Sequence, residues 1–308
     1  MTATAVKAQA GGTGAAGPAP VPRRRRFRVG PWLASAPFLI IVAVGLIAPT
    51  LALAVAAFQR TDPTDGSTTT TIDNVTAAFG GGYRTALIGS LKLAVLTAVV
   101  GGIVGVVVAY AIQVGGSTWL RRIVVTASGV AANFGGVPLA FAFIATIGNA
   151  GLVTTWLQNH FGTHLGINLY SFNGLSLVYL YFLMPLMIIV VFPALDGIRP
   201  QWSEAAENLG ATRWQYWRLV AGPILVRPVL AGILLLFCGA LSAYATAAAM
   251  VGSTVPLVTL QIANVLSGNV LAGQEGIGDA LALQMIVVVA IVITVQNLVQ
   301  RRNSKWLS

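Results

Sequence analysis

Residues 204–223 read EAAENLGATRWQYWRLVAGP, a charged stretch in a chain that is otherwise mostly apolar. Pro200 suits the first turn of a helix, and Glu204, Ala205, Ala206 and Glu207 continue it with acids in its N-terminal half. Gly210 then supplies a left-handed C-terminal cap. Thr212 and Gln215 make a T-x-x-Q capping box, which opens a second helix through Arg213, Trp214, Tyr216, Trp217 and Arg218. Two short helices meeting at a glycine fit either a DNA-reading helix-turn-helix or an elbow between larger elements. The flanking sequence decides between them.

That flanking sequence is written for a bilayer. Of 308 residues, 56% are hydrophobic and 8% charged, and the mean hydropathy is +0.81, where a soluble domain carries about 25% charged residues. A membrane span needs about 20 apolar residues. Six segments qualify: 32–58, 93–112, 123–147, 175–194, 229–251 and 280–299, the third interrupted by Asn133, Gly135, Gly136 and Pro138. The fold class expected is therefore all-α and polytopic, with six transmembrane helices and both termini on one side. Gly101 and Gly105 stand at GxxxG spacing in the second span, and Pro37, Pro49, Pro185 and Pro193 lie within others, as close helix packing permits. Pro138 and Pro185 are candidate hinges. Residues 1–30, rich in Ala, Gly, Thr and Pro, read as a disordered basic tail, leaving 31–308 as one membrane domain.

The placement of Lys and Arg sets the orientation. Of 18 basic residues all but Arg60, Arg84 and Lys92 fall before span one, between spans two and three, between four and five, or after six. By the positive-inside rule those segments are cytoplasmic, and so is the elbow. The run Arg23–Arg26 is explained as a topology determinant without a nucleic-acid partner. The apolar run behind it is too long for a cleaved signal peptide.

Catalytic and energy-converting machinery has little room. Asp62, Asp65, Asp73, Asp196, Glu204, Glu207, Glu275 and Asp279 all fall in loops or at span ends, which counts against proton relays and voltage sensors. His160 and His164 have i, i+4 spacing, but the acidic third ligand of a zinc site is missing. One cysteine, Cys238, excludes a disulfide framework. No phosphate-binding loop or serine elbow is present. Active transport would draw its energy from another chain.

Spans four and five leave only about 34 residues between them, too few for the third helix a DNA-reading motif needs, and the aromatic second helix suits a membrane interface. The stretch resembles the EAA motif of binding-protein-dependent ABC importer permeases: Glu204, Ala205, Ala206, Gly210 and Pro223 match in type and spacing. Val220 replaces Ile, and Gly222 stands where Leu is usual. With six spans and inside termini, the resemblance to the type I permeases extends over roughly residues 30–305.

The resemblance implies a coupling helix seated in a groove of a cytoplasmic ATPase subunit. Glu204 would meet a basic group, Ala205 and Ala206 would permit close approach, Gly210 would turn the chain, and Glu207, Thr212, Arg213 and Pro223 would complete the elbow. It further implies two ATPase subunits holding ATP and magnesium, a second permease identical or paralogous, an extracytoplasmic solute-binding protein, surrounding lipid, and the plasma membrane of a prokaryote. This chain itself would be no enzyme and carry no cofactor. LSAYATAAAMVG at 241–252 and VPLVTLQI at 255–262 are similar to the branch handling polyamines, iron, thiamine or aminoethylphosphonate. Tyr110, Asn133, Tyr179, Tyr181, Ser242, Tyr244, Thr246 and Gln284 are the polar candidates for a solute pathway. The rival readings are a self-sufficient carrier or channel, in which the elbow is only a loop, and a non-transporting membrane scaffold.

Overall fold

The computed structural model describes residues 30–61, 67–163, 166–268 and 275–304. Residues 1–29, Asp62, Asp65, His164 and Lys305 lie outside them, and with them the expected tail and the second histidine of the i, i+4 pair. Contacts divide the chain into two units, 1–49 and 50–308. In the first, α1 (Gly30–Val42) contains Pro37 and runs through a π turn, Ala43–Ile47, into the start of α2 (Ala48–Ala56).

The second unit continues with a short antiparallel hairpin, β1 (Gln59–Thr61) on β2 (Thr68–Thr70), and with α3 (Asp73–Ala78). There follow α4 (Gly81–Val114), α5 (Thr118–Asn133), α6 (Gly136–Ile147), α7 (Leu152–Phe161) and α8 (Phe172–Asp196). Next come α9 (Pro200–Asn208), α10 (Arg213–Tyr216), a π turn at Trp217–Ala221, and α11 (Gly222–Ser242). The remaining helices are α12 (Tyr244–Met250), α13 (Val258–Leu266) and α14 (Glu275–Ser304).

Among the described residues six stretches are long and apolar enough to cross a membrane: Ala36–Ala56, Gly81–Val114, Gly136–Phe161, Phe172–Asp196, Arg213–Ser242 and Gly276–Leu298. The chain is an all-α polytopic membrane protein. Three of the expected boundaries need correction. The second span begins at Gly81, so Lys92 lies within a helix rather than at its edge. Arg84 and Lys92 disguised its first turns as loop, although long basic stems extend readily from a continuous helix.

The third expected span, 123–147, is two helices. Gly136 has φ +75°, a left-handed conformation that a continuous right-handed helix does not pass through, and Pro138 sits in the first turn of α6, where its missing N–H costs nothing. The chain therefore breaks at Phe134 and Gly135, and the qualifying apolar stretch is α6 with α7. The fifth, expected at 229–251, starts earlier and ends sooner: the helix is continuous from Arg213 to Ser242 and breaks at Ala243, whose φ −74° and ψ 88° leave the helical region. The segments between the expected spans also hold the hairpin and α3, α7 and α13.

Helices α4, α8 and α11 pack mutually and form the centre, with α5 against α8 and α14 against α11, α13 and α3. Tyr179, Leu183 and Met187 of α8 and Leu236 of α11 are fully buried there. Glycine sets the spacing: a Cβ on Gly105 would lie 2.7 Å from Met187 Cβ, and one on Gly102 2.8 Å from Ile233 Cγ1. The GxxxG pair is thus a packing feature, with backbone contact replacing side-chain bulk. Pro185 and Pro193 sit inside α8 without ending it.

The two mid-helix breaks are joined. Thr246 of α12 accepts the Gly136 amide at 3.0 Å and donates to the Gly136 carbonyl at 3.3 Å. Tyr179 donates its hydroxyl to the Ala243 carbonyl. Backbone groups freed by a break inside hydrocarbon must find partners within the protein, and these two side chains supply them.

Candidate coupling elbow

The elbow grows from the end of α8. Gly197 and Ile198 close that helix with bonds to the carbonyls of Pro193 (3.1 Å) and Leu195 (3.1 Å). Pro200 then opens α9, where its missing N–H costs nothing. At the far end the Ala211 amide donates to Ala206 O and the Gly210 amide to Glu207 O, both at 2.9 Å. With φ +76° at Gly210, this is a complete Schellman motif.

Two residues later Thr212 caps α10. Its amide donates to Gln215 Oε1 at 2.7 Å, and the Gln215 amide donates to Thr212 Oγ1 at 3.3 Å. A Schellman motif followed at once by a capping box satisfies the loose backbone groups on both sides of the bend. The angle of the elbow is therefore set locally, before any partner contributes.

From Arg213 onward the chain does not stop at a second short helix, as the sequence reading expected. It passes through the π turn into α11 without interruption. Gly222 donates its amide to Trp217 O, and a Cβ there would lie 2.5 Å from that same oxygen. This accounts for glycine at the position where the motif usually has leucine. Pro223 follows as the second residue of α11.

Glu204, Ala205, Glu207, Gly210, Thr212 and Arg213 are all exposed, Glu207, Thr212 and Arg213 at the rim of a cavity behind the elbow, and Ala206 is half-buried. Beside them stand apolar groups that the sequence reading did not single out: Leu209 is 87% and Trp214 72% exposed. The signal was present, since a leucine just before the left-handed glycine has no inward face to occupy. Behind the elbow is a cavity of about 340 Å³, bounded by Tyr110 and Gln113 of α4 and by Ala206, Ala211, Tyr216 and Trp217.

The eight pathway candidates divide by environment. Tyr110 belongs to the elbow, its ring edge-on to Trp217 with centroids 5.1 Å apart. Tyr179, Thr246 and Gln284 are buried, the last with Nε2 donating to Ala78 O at 3.1 Å. Asn133, Tyr181, Ser242 and Tyr244 are exposed, and all but Tyr181 flank the two helix breaks. Asn133 turns back on Gly129 O at 2.8 Å, Ser242 on Gly239 O at 3.3 Å, and Tyr181 packs edge-on to Phe143.

Residues 163–308 match the family described as binding-protein-dependent transport system inner membrane component. The matched region begins before α8 and includes the whole elbow. The sulfate transport system permease protein CysT of Escherichia coli K12 is 35% identical over 75 residues, 24% of this chain and 27% of that one. A putative ferric transport system permease protein, FbpB 1 of Haemophilus influenzae, is 28% identical over 124 residues, 40% of this chain and 19% of that one. The chain thus matches about a quarter or less of these relatives' length.

Solved structures extend the likeness in fold. A membrane chain of a bacterial ABC transporter involved in import of the acidic polysaccharide alginate superposes with TM-score 0.71 at 20% identity, covering 88% of this chain and 96% of that one. The same transporter in complex with its alginate pentasaccharide-bound periplasmic protein gives TM-score 0.71 at 19% identity, covering 88% and 94%. These likenesses reach across the N-terminal half that the family match leaves out, and they are likenesses of architecture.

Proposed function

We propose that the chain is the transmembrane permease subunit of an ABC importer, forming half of a solute pathway and coupling ATP hydrolysis by partner ATPases to uptake. The observation that carries this reading is the elbow: a locally rigid bend, capped on both sides, with Glu204 and Ala205 exposed beside Leu209 and Trp214. Exposed aromatic and leucine side chains ringed by charge are the composition of a docking surface. Glu204 meets a basic group of the ATPase, the alanines permit approach, and Gly210 with Thr212 and Arg213 fixes the presentation.

The assembly comprises two ATPase subunits that hold ATP and magnesium, a second permease, and an extracytoplasmic binding protein, all at a prokaryotic plasma membrane with the elbow inside. The sulfate and ferric permeases among its relatives favour a small ionic solute, in keeping with the polyamine, iron or phosphonate branch. Asn133, Ser242 and Tyr244, exposed at the helix breaks, are the pathway residues of choice.

The test is gentle co-purification from the native membrane, with native mass spectrometry of the partners and of the solute held by the binding protein. An ATPase in the preparation, released by Glu204→Lys, supports the reading. Undiminished uptake in cells lacking that ATPase identifies a self-sufficient carrier instead.

A further inference from the structure

The inner side of the elbow carries an arrangement that the docking surface does not explain. Asp196, the last residue of α8, has its carboxylate shared between two other helices: Oδ2 pairs with the Arg121 guanidinium of α5, and Oδ1 accepts from Gln113 Nε2 of α4 at 3.2 Å. Arg121 is held in turn over the Phe192 ring, 5.4 Å from its centroid. A carboxylate is the wrong charge for a helix C-terminus, so α8 itself gains nothing from this residue. The pair is also two-fifths exposed, a setting in which ion pairs add little to folding stability. What Asp196 does achieve is the convergence of three helices at the root of the elbow.

The other root is tied to the same helix. Trp217, where α10 passes into the π turn, packs edge-on to Tyr110. Tyr110 and Gln113 are three residues apart on α4 and so share a face. Between these two ties lies the cavity rather than packed side chains. The elbow is fastened to the end of α4 at both roots and is free in the middle. Further along, α4 meets α8 and α11 at glycine-mediated close contacts that leave no slack.

We propose that Asp196 is a positioning residue that fastens the elbow's first root to α4 and α5, so that displacement of the elbow is delivered to α4. Trp217 on Tyr110 is the second fastening. The proposal rests on the importer reading for its functional consequence, whereas the fastening itself is a property of the chain alone.

The experiment has two arms. In a Cys238→Ala background, spin labels at Asn208 on the elbow and Val114 at the end of α4 report one narrow distance distribution in the parent. Asp196→Asn broadens it, and the exchanged pair Arg121→Asp with Asp196→Arg narrows it again. In the complete transporter in proteoliposomes, Asp196→Asn leaves ATP hydrolysis near the parent rate and lowers solute moved per ATP about tenfold, in the range of ordinary site-to-site coupling; the exchanged pair restores it. Gln113→Leu, which keeps the ion pair, gives the same direction of change and serves where Asp196→Asn assembles poorly. An unchanged distance distribution in both Asp196→Asn and Gln113→Leu overturns the proposal. So does an unchanged ratio of solute to ATP. Absence of ATP-dependent uptake in the parent overturns the importer reading alone, since the distance arm stands apart from it.

Discussion

The Gly136 amide donates to Thr246 Oγ1 at 3.0 Å across 110 positions of sequence, and the same hydroxyl donates to the Gly136 carbonyl at 3.3 Å. One side chain thus closes a helix break on a neighbouring segment, while its own helix α12 begins at the other break. Removing the hydroxyl leaves a part-buried amide and carbonyl without this partner. Thr246→Val is expected to destabilise the bundle by about 1 kcal/mol, the scale of two hydrogen bonds between membrane helices, and Thr246→Ser to retain most of the stability. Thermal unfolding in detergent, followed by fluorescence of a thiol-reactive probe at Cys238, checks the pair.

Tyr179→Phe tests the second break. The ring stays in place but the Ala243 carbonyl loses its donor, with an expected cost of about 1 kcal/mol. Hydrogen exchange at residues 243–246 should quicken in this variant while exchange in the centre of α4 stays slow.

Gly210→Val meets φ +76° with a β-branched side chain, a conformation costing roughly 1–2 kcal/mol for an L-residue. The Schellman bonds loosen and the elbow changes angle. Insertion into the membrane should be normal and association with the ATPase weakened, measured by co-purification yield. Gly210→Asn, which tolerates the left-handed region, should come between the two.

Gly105→Leu drives a side chain into Met187, already 2.7 Å from where a Cβ would stand. Overpacking of a rigid contact costs about 1–3 kcal/mol. Gly105→Leu combined with Met187→Ala should recover part of that loss, and the double-mutant cycle on melting temperature measures the recovery.

Gly222→Leu restores the residue usual in the motif and yet should impair this chain, because the added Cβ lies 2.5 Å from Trp217 O. A drop in melting temperature with loss of coupled uptake is expected; a gain in either would contradict the account of the π turn.

Much of this was legible in the sequence. Gly210 and the Thr212–Gln215 box announced the elbow because caps are local chemistry, decided by residues within one turn. Gly101 and Gly105 announced tight packing for a similar reason. The interruption around Gly135 showed in its glycines and proline, whereas the break at Ala243 was invisible, since the apolar run continues across it and hydropathy registers only solvent preference. The bonds that hold both breaks, from Thr246 and Tyr179, are long-range. Asp196 was read as a mere span-end acid, because its partners Gln113 and Arg121 lie 83 and 75 positions away. The roles of Tyr110 and Trp217 required the same tertiary knowledge.

The π turn between elbow and α11 bears on how such a chain can change over generations. A residue inserted into a helix rotates everything beyond it by about 100°, so the five residues Trp217–Ala221 set the azimuth of the outward-facing elbow against the buried flank carrying Gly232 and Leu236. Loss of a single codon in that turn would swing Glu204 and Trp214 to a new heading without altering any docking side chain. Divergent partners could thus be met by a length polymorphism where substitution of the contact surface would otherwise be required.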